Sequence, residues 1–175
     1  MFELLGEHAL DWARIELVQV DERVAPDGDP DRNLTRLLES LPEAAHESVR
    51  PMPVGETELE AAAREYAVAL PGQLDLVHLG LGPDGHTASL VPGDPVLEVR
   101  DRRVDLTGEY QGRRRMTVTY PVLDAARRIL WLVTGADKRE PLAKLLAGDP
   151  TIPAGRVDAR NAVAVCDAAA AVSGS

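Results

Sequence analysis

Along this chain the apolar positions gather into short continuous runs, set apart by polar stretches rich in glycine and proline. Ile15 to Val20 (IELVQV) predicts a buried strand, with Asp21-Glu22-Arg23 at its carboxyl end. Pro26, Gly28 and Pro30 then mark a loop. Leu34, Leu37 and Leu38 have helical spacing and predict a short helix from Asn33 to Ser40. Thr57 and Glu60 have the spacing of a capping box, opening a helix to about Leu70 that Pro71-Gly72 ends. Leu74 to Leu81 (LDLVHLGL) is a second strand, running into a tight loop, Gly82-Pro83-Asp84-Gly85-His86-Thr87. Arg115 to Tyr120 predicts a third strand, and Pro121 to Arg127 a helix with proline in its first turn. Ile129 to Thr134 is a fourth strand ending at Gly135, and Lys138 to Ala147 is helical and closed by Gly148. Ala162 to Cys166 is a last strand, before an end at Ser173-Gly174-Ser175 expected to fray.

Strands alternating with helices imply an α/β fold, a mostly parallel sheet flanked by helices in a Rossmann-like layered architecture. The near-continuous apolar strands fit a sheet covered on both faces. Ligands of such sheets bind beyond the carboxyl ends of the strands. Three polar clusters are expected there: Asp21-Glu22-Arg23, the stretch Gly82 to Ser89, and Gly135 to Lys138.

Composition narrows the class. The chain has 175 residues, 45% apolar and 27% charged, which fits one globular domain over residues 1–175. A single cysteine, Cys166, leaves no internal disulfide, and the start carries no basic flank or long apolar run, so a cytoplasmic location is expected. No run is long enough for a membrane span. The net charge of −10 argues against nucleic acid as a partner. It also means that an anionic ligand needs a local cluster of cations.

The glycine loop carries the strongest chemical candidates. Gly80, Gly82 and Gly85 let backbone approach a ligand closely. His86 is able to take and return a proton near neutral pH, and Asp84 is near enough to orient it. The alternative is a glycine turn bearing a surface histidine. Arg23 suits a phosphate group through paired hydrogen bonds, although charges after a strand are often only solvated. Arg115 opens a β-branched strand that would aim it, and Lys138 stands at a helix start, where the dipole disfavours a cation. No Cys/His cluster supports zinc, and no Gly-x-Ser-x-Gly elbow supports a serine hydrolase. His8, His46 and His78 lack ligand-like neighbours, and Trp12 and Trp131 read as packing.

In this order the motifs resemble the 6-phosphogluconolactonase family over nearly the whole chain. The matching stretches are Val20-Asp21-Glu22-Arg23 with Asp31-Arg32-Asn33, the signature LGLGPDGHTASLVPG from Leu79 to Gly93, Arg115-Met116-Thr117, and Leu132-Val133-Thr134-Gly135 followed by Lys138. The resemblance implies hydrolysis of 6-phospho-D-glucono-1,5-lactone in the oxidative pentose phosphate pathway, without metal or organic cofactor. It implies His86 as general base and Asp84 as its orienting partner. Backbone N–H groups near Gly82 and Gly85 would stabilise the oxyanion. Arg23, Arg115 and Lys138 would hold the phosphate or sugar hydroxyls, with Asp21, Asn33 and Ser89 completing the site. A rival in the same superfamily, glucosamine-6-phosphate deaminase, carries Gly-His-Ile-Gly-Phe-Asn-Glu-Pro after its glycine loop. Here the loop reads Gly85-His86-Thr87-Ala88-Ser89-Leu90-Val91-Pro92, without the phenylalanine and the Asn-Glu pair. A third reading is an inactive fragment or binding module. Family members carry a helix, a strand and a Gly-Gly-Ser/Thr loop ahead of the stretch matching Phe2 to Asp11. Either the true start lies upstream of Met1 or the first strand and its phosphate loop are missing. In the latter case the chain alone is expected to self-associate through an exposed sheet edge and to be nearly inactive.

Overall fold

A computed structural model describes residues 2–8 and 10–172. The end at Ser173-Gly174-Ser175, expected to fray, lies outside the described residues, as does Met1. The chain opens with helix α1 (Phe2–Gly6) and strands β1 (Leu17–Val18) and β2 (Asp21–Arg23). Helix α2 (Asn33–Ser40), strand β3 (Val49–Arg50), helix α3 (Leu59–Ala69) and strand β4 (Val77–Leu79) follow. Next come β5 (Val104–Leu106), β6 (Arg115–Val118), α4 (Tyr120–Asp124), β7 (Ile129–Val133), α5 (Arg139–Leu146) and β8 (Ala162–Cys166).

The architecture is α/β, with three sheets among the described residues. β1 and β3 pair in parallel, and β4, β7 and β8 form a parallel sheet in that order. The third, β2-β6-β5, is antiparallel and corrects the expectation that Asp21-Glu22-Arg23 is a loop beyond a strand. The run from Ile15 enters a ladder only at Leu17–Val18. It breaks at Gln19, whose buried amide accepts from Met52 N–H (2.8 Å) and donates to Glu22 (3.0 Å). The chain then re-enters a sheet as β2.

The expected capping box does not form. Helix α3 starts at Leu59 with Glu58 at its N-cap and no side-chain cap, and Glu60 instead reaches Arg114 at 3.4 Å. Its interior face, Ala62, Ala63 and Tyr66, joins a core with Leu79, Trp131 and Val133 of the parallel sheet. Inward residues of β7 alternate with half-buried ones, the period-two pattern of a strand between neighbours. By contrast, among the described residues β8 pairs only with β7, and its Val163 and Val165 are exposed. Among the described residues no helix is long and apolar enough to cross a membrane.

Candidate functional site

Beyond the end of β4 the chain makes a compact glycine loop that aims one imidazole. Asp84 Oδ1 meets His86 Nδ1 at 2.6 Å and also accepts from the His86 N–H at 3.2 Å. The loop closes through Gly82 N–H to His86 O (2.8 Å) and Gly85 N–H to Gly82 O (3.0 Å). These two amides are thus donated inside the loop, which changes their expected role from oxyanion donors to shaping the turn. Glycine is required at 82 because a Cβ there would lie 2.1 Å from His86 Nδ1. It is required at 85 because φ is +81° and a Cβ would meet Ile152 at 2.5 Å. With Nδ1 held by a carboxylate, Nε2 is the ring nitrogen left to exchange a proton with water.

The β5–β6 hairpin brings the second group. Tyr110 O–H donates to the other Asp84 oxygen, Oδ2, at 2.9 Å, and its ring stands edge-on to His86 with centroids 5.5 Å apart. The Arg115 guanidinium lies over the same ring, 4.8 Å from its centroid. Partial burial pushes the Asp84 carboxyl up, but the hydrogen bonds from His86 and Tyr110 outweigh it and hold Asp84 below the ordinary carboxylate value. Asp84 is therefore ionised at neutral pH and keeps His86 in one orientation.

The antiparallel register sets Arg23 directly across from Arg115, and Asp21 across from Thr117. Like charges opposite one another in a ladder repel, so such a pair needs a compensating anion. Burial, and after it the neighbouring Arg23 charge, lowers the Arg115 pKa, yet a guanidinium stays cationic throughout the physiological range. Arg115 is 4% exposed, and the Nε atoms of Arg115 and Arg23 are buried without a hydrogen-bond partner. Arg115 Nη2 donates to Gln111 Oε1 at 3.2 Å, and Arg23 Nη1 to the Asp31 carbonyl at 2.6 Å. Asp21 is the nearby counter-charge. Burial raises its carboxyl above the ordinary value, while Ser89, Arg23 and Arg115 pull it down.

Ser89 and Asn33 join through Asp21. Ser89 Oγ donates to Asp21 Oδ2 at 2.7 Å, and Asn33 Nδ2 to Asp21 Oδ1 at 3.2 Å and to its carbonyl at 3.0 Å. Alternation sends Glu22 the other way. Fully buried, it accepts from the N–H groups of Asn33 (2.7 Å) and Leu34 (2.8 Å), the first turn of α2, where the helix dipole favours an anion. Glu22 thereby fixes α2, and with it Asn33, against β2. Lys138 stands apart from this cluster, on the turn after β7, where its ammonium contacts Asp137 at 2.7 Å. Since β4 and β7 run parallel, that turn shares an edge of the sheet with the His86 loop.

The structure thus joins His86, Asp84, Gly82 and Gly85 in one loop, and Arg23, Arg115, Asp21, Asn33 and Ser89 in a second cluster bonded across β2 and β6. Tyr110, which links the two, carries no catalytic signature in sequence. Its only local sign is the Gln111-Gly112 pair behind it, a two-residue hairpin turn. Among the described residues no group of three or more His, Cys, Asp or Glu side chains is arranged to hold a metal ion.

The fold is α/β with a histidine loop beyond a parallel strand and an arginine pair on a neighbouring antiparallel sheet, and comparison with known proteins assigns its family. Residues 1–166 match the model of glucosamine-6-phosphate isomerases/6-phosphogluconolactonase, and the chain belongs to that family. The 6-phosphogluconolactonase of Synechocystis sp. is 36% identical over 163 residues, covering 84% of this chain and 66% of that protein. That of Streptomyces coelicolor is 35% identical over 176 residues, covering 87% and 66%. The chain therefore spans just under two thirds of the length of these relatives. The crystal structure of 6-phosphogluconolactonase from Thermotoga maritima superposes with a TM-score of 0.81 at 27% identity, covering 94% of this chain and 78% of that one. A monomeric glucosamine-6-phosphate deaminase shares the fold at a TM-score of 0.82 and 20% identity, with 97% and 79% covered.

Proposed function

We propose that this chain carries the site of a 6-phosphogluconolactonase, hydrolysing 6-phosphogluconolactone to 6-phosphogluconate. The observation that carries the reading is the His86 Nδ1–Asp84 contact at 2.6 Å beside the Arg23–Arg115 pair. His86 Nε2 takes a proton from water as the water oxygen bonds to the lactone carbonyl carbon. Asp84 stabilises the imidazolium that forms. When the tetrahedral intermediate collapses, the bond from carbonyl carbon to ring oxygen breaks and His86 returns the proton to that oxygen. The new carboxylic acid then ionises to solvent.

Arg23 and Arg115 hold the phosphate, with Asp21, Asn33 and Ser89 fixing their surroundings. Lys138, on the turn after β7, contributes to binding the sugar hydroxyls or the phosphate. In the lactone the carbonyl carbon and the ring carbon that carries the phosphomethyl group flank the same ring oxygen. Tyr110 contacts both groups, the Arg115 guanidinium 4.8 Å and the His86 ring 5.5 Å from its centroid. Deaminase activity is the weaker reading, because the loop after His86 runs Thr87-Ala88-Ser89 without the Phe-Asn-Glu of that branch.

The test compares phosphorylated and unphosphorylated gluconolactone, with spontaneous opening subtracted. The phosphorylated lactone should be preferred, His86→Ala should lower turnover by about 100-fold or more, and Arg23→Ala should erase much of the preference. Near-normal turnover without His86, or ammonia released from glucosamine 6-phosphate at a comparable rate, would overturn the assignment.

A further inference from the structure

Tyr110 touches both halves of the site, yet neither the proton transfer nor the phosphate contacts described above use its hydroxyl. That hydroxyl donates to Asp84 Oδ2 at 2.9 Å, while Oδ1 of the same carboxylate meets His86 Nδ1 at 2.6 Å. Its ring carries the Arg115 guanidinium on one face at 4.8 Å, and its carbonyl accepts from Arg115 Nη2 at 3.5 Å. The residue is pinned by its turn. Tyr110 and Arg113 exchange backbone hydrogen bonds of 3.0 and 3.3 Å across Gln111 and Gly112, both in the left-handed region at φ +53° and +78°. Two residues in that conformation make the tight turn whose twist suits a hairpin. Hence the main chain that carries the ring is fixed to the hairpin that holds Arg115.

We propose that Tyr110 is a positioning residue that ties the His86–Asp84 pair to Arg115, setting the distance between activated water and the held phosphate. This rests on the lactonase reading. The hydroxyl fixes the carboxylate that orients His86, and the ring fixes the cation. Burial, and after it the bond to Asp84, raises the Tyr110 pKa, so the hydroxyl remains a donor through neutral pH. The groups facing Asp84 are His86 in its own loop and, from the hairpin, Tyr110 with Arg115 behind it. The segment packed beneath Gly85 brings apolar Ile152 and Ala154.

Two variants separate the two roles. Tyr110→Phe keeps the ring and removes the donor. Its kcat should fall by about 10-fold, with KM for phosphogluconolactone within about twofold, because a misoriented base affects the chemical step and not binding. Tyr110→Leu removes the ring too, and should add about a 10-fold rise in KM for the phosphorylated lactone and none for gluconolactone. A third measurement needs no turnover: the His86 ring resonances in the NMR spectrum should change in Tyr110→Phe. Absence of lactone hydrolysis by the unaltered protein would remove the lactonase reading, and the resonances would then decide the coupling alone. Unchanged kcat in Tyr110→Phe, unchanged resonances, or equal KM rises for both lactones in Tyr110→Leu would each overturn the proposal.

Discussion

Gly82→Ala adds one methyl group at the point where the loop folds back on its own histidine. The new Cβ would stand 2.1 Å from His86 Nδ1, 2.2 Å from Cε1 and 2.7 Å from Asp84 Oδ1, against an ordinary contact of 3.4 Å or more. The imidazole must therefore move by more than an ångström. Since the His86 side chain is 21% exposed, it can swing toward solvent without displacing core residues. The move breaks the 2.6 Å contact with Asp84, which costs the fold little because the loop's backbone bonds survive. It costs the reaction far more. An ångström of misplacement is worth about 100-fold in rate, and a positioned base about 10²–10⁴-fold. The expected outcome is a kcat lower by about 100-fold, with stability changed by about 1 kcal/mol or less. Turnover is measured with spontaneous opening subtracted, and stability by urea unfolding with two probes. A variant with unaltered kcat would show that His86 does not act from the position held by Asp84. Rate loss that merely follows global unfolding would show that the loop is structural only.

Two further outcomes follow from the same geometry. Glu22→Ala leaves buried Arg32 with the exposed Asp27 as its remaining carboxylate partner and uncaps α2, so urea unfolding should report a loss of about 3 kcal/mol, as when one member of a buried pair is removed; a loss below about 1 kcal/mol would mean that solvent and Asp27 together compensate for the lost carboxylate. We also propose that copies of the chain self-associate through β8, an uncharged edge strand with Val163 and Val165 exposed. Val165→Lys, a charge of the kind that blunts natural edges, should then lower the sedimentation mass at micromolar concentration, and a monomeric unaltered chain would reject the idea.

The glycine loop was legible in the sequence because all its determinants are local. Gly82, Asp84, Gly85 and His86 sit within five consecutive positions, and the turn they encode is closed by hydrogen bonds among themselves. Helix α2 and strand β8 were legible for a similar reason, one through leucine spacing and the other through an uncharged β-branched run. β2 was not. Asp21, Glu22 and Arg23 have no apolar alternation, and their strand character comes from pairing with β6, far along the chain. Strand propensity reflects such neighbours more than the residues themselves. Tyr110 was hidden for the same reason, since Asp84 meets it only when the hairpin folds over the loop. The capping box failed in the opposite sense: its residues have the right spacing, but Glu60 is drawn to Arg114 of that hairpin.

On the proposed reading, the pairing of β2 with β6 also answers how a chain of net charge −10 would hold an anion. The alternation of β2 sorts its three charges. Glu22 turns inward and is consumed by the first turn of α2, while Asp21 and Arg23 face the cluster with Ser89. In β6, Met116 and Val118 are fully buried in the core, and Arg115 and Thr117 take the alternate positions. Two arginines thus come face to face, with only one raised-pKa carboxylate, Asp21, among them. Elsewhere the excess of carboxylates repels anions, and buried Arg115 with half-buried Arg23 focuses the field at one point. Because each arginine is already fixed by the hairpin or by the Asp31 carbonyl, little side-chain freedom remains to be lost when phosphate binds. On the proposed reading, selectivity for a phosphorylated substrate comes from where the two arginines are held, and not from the overall charge.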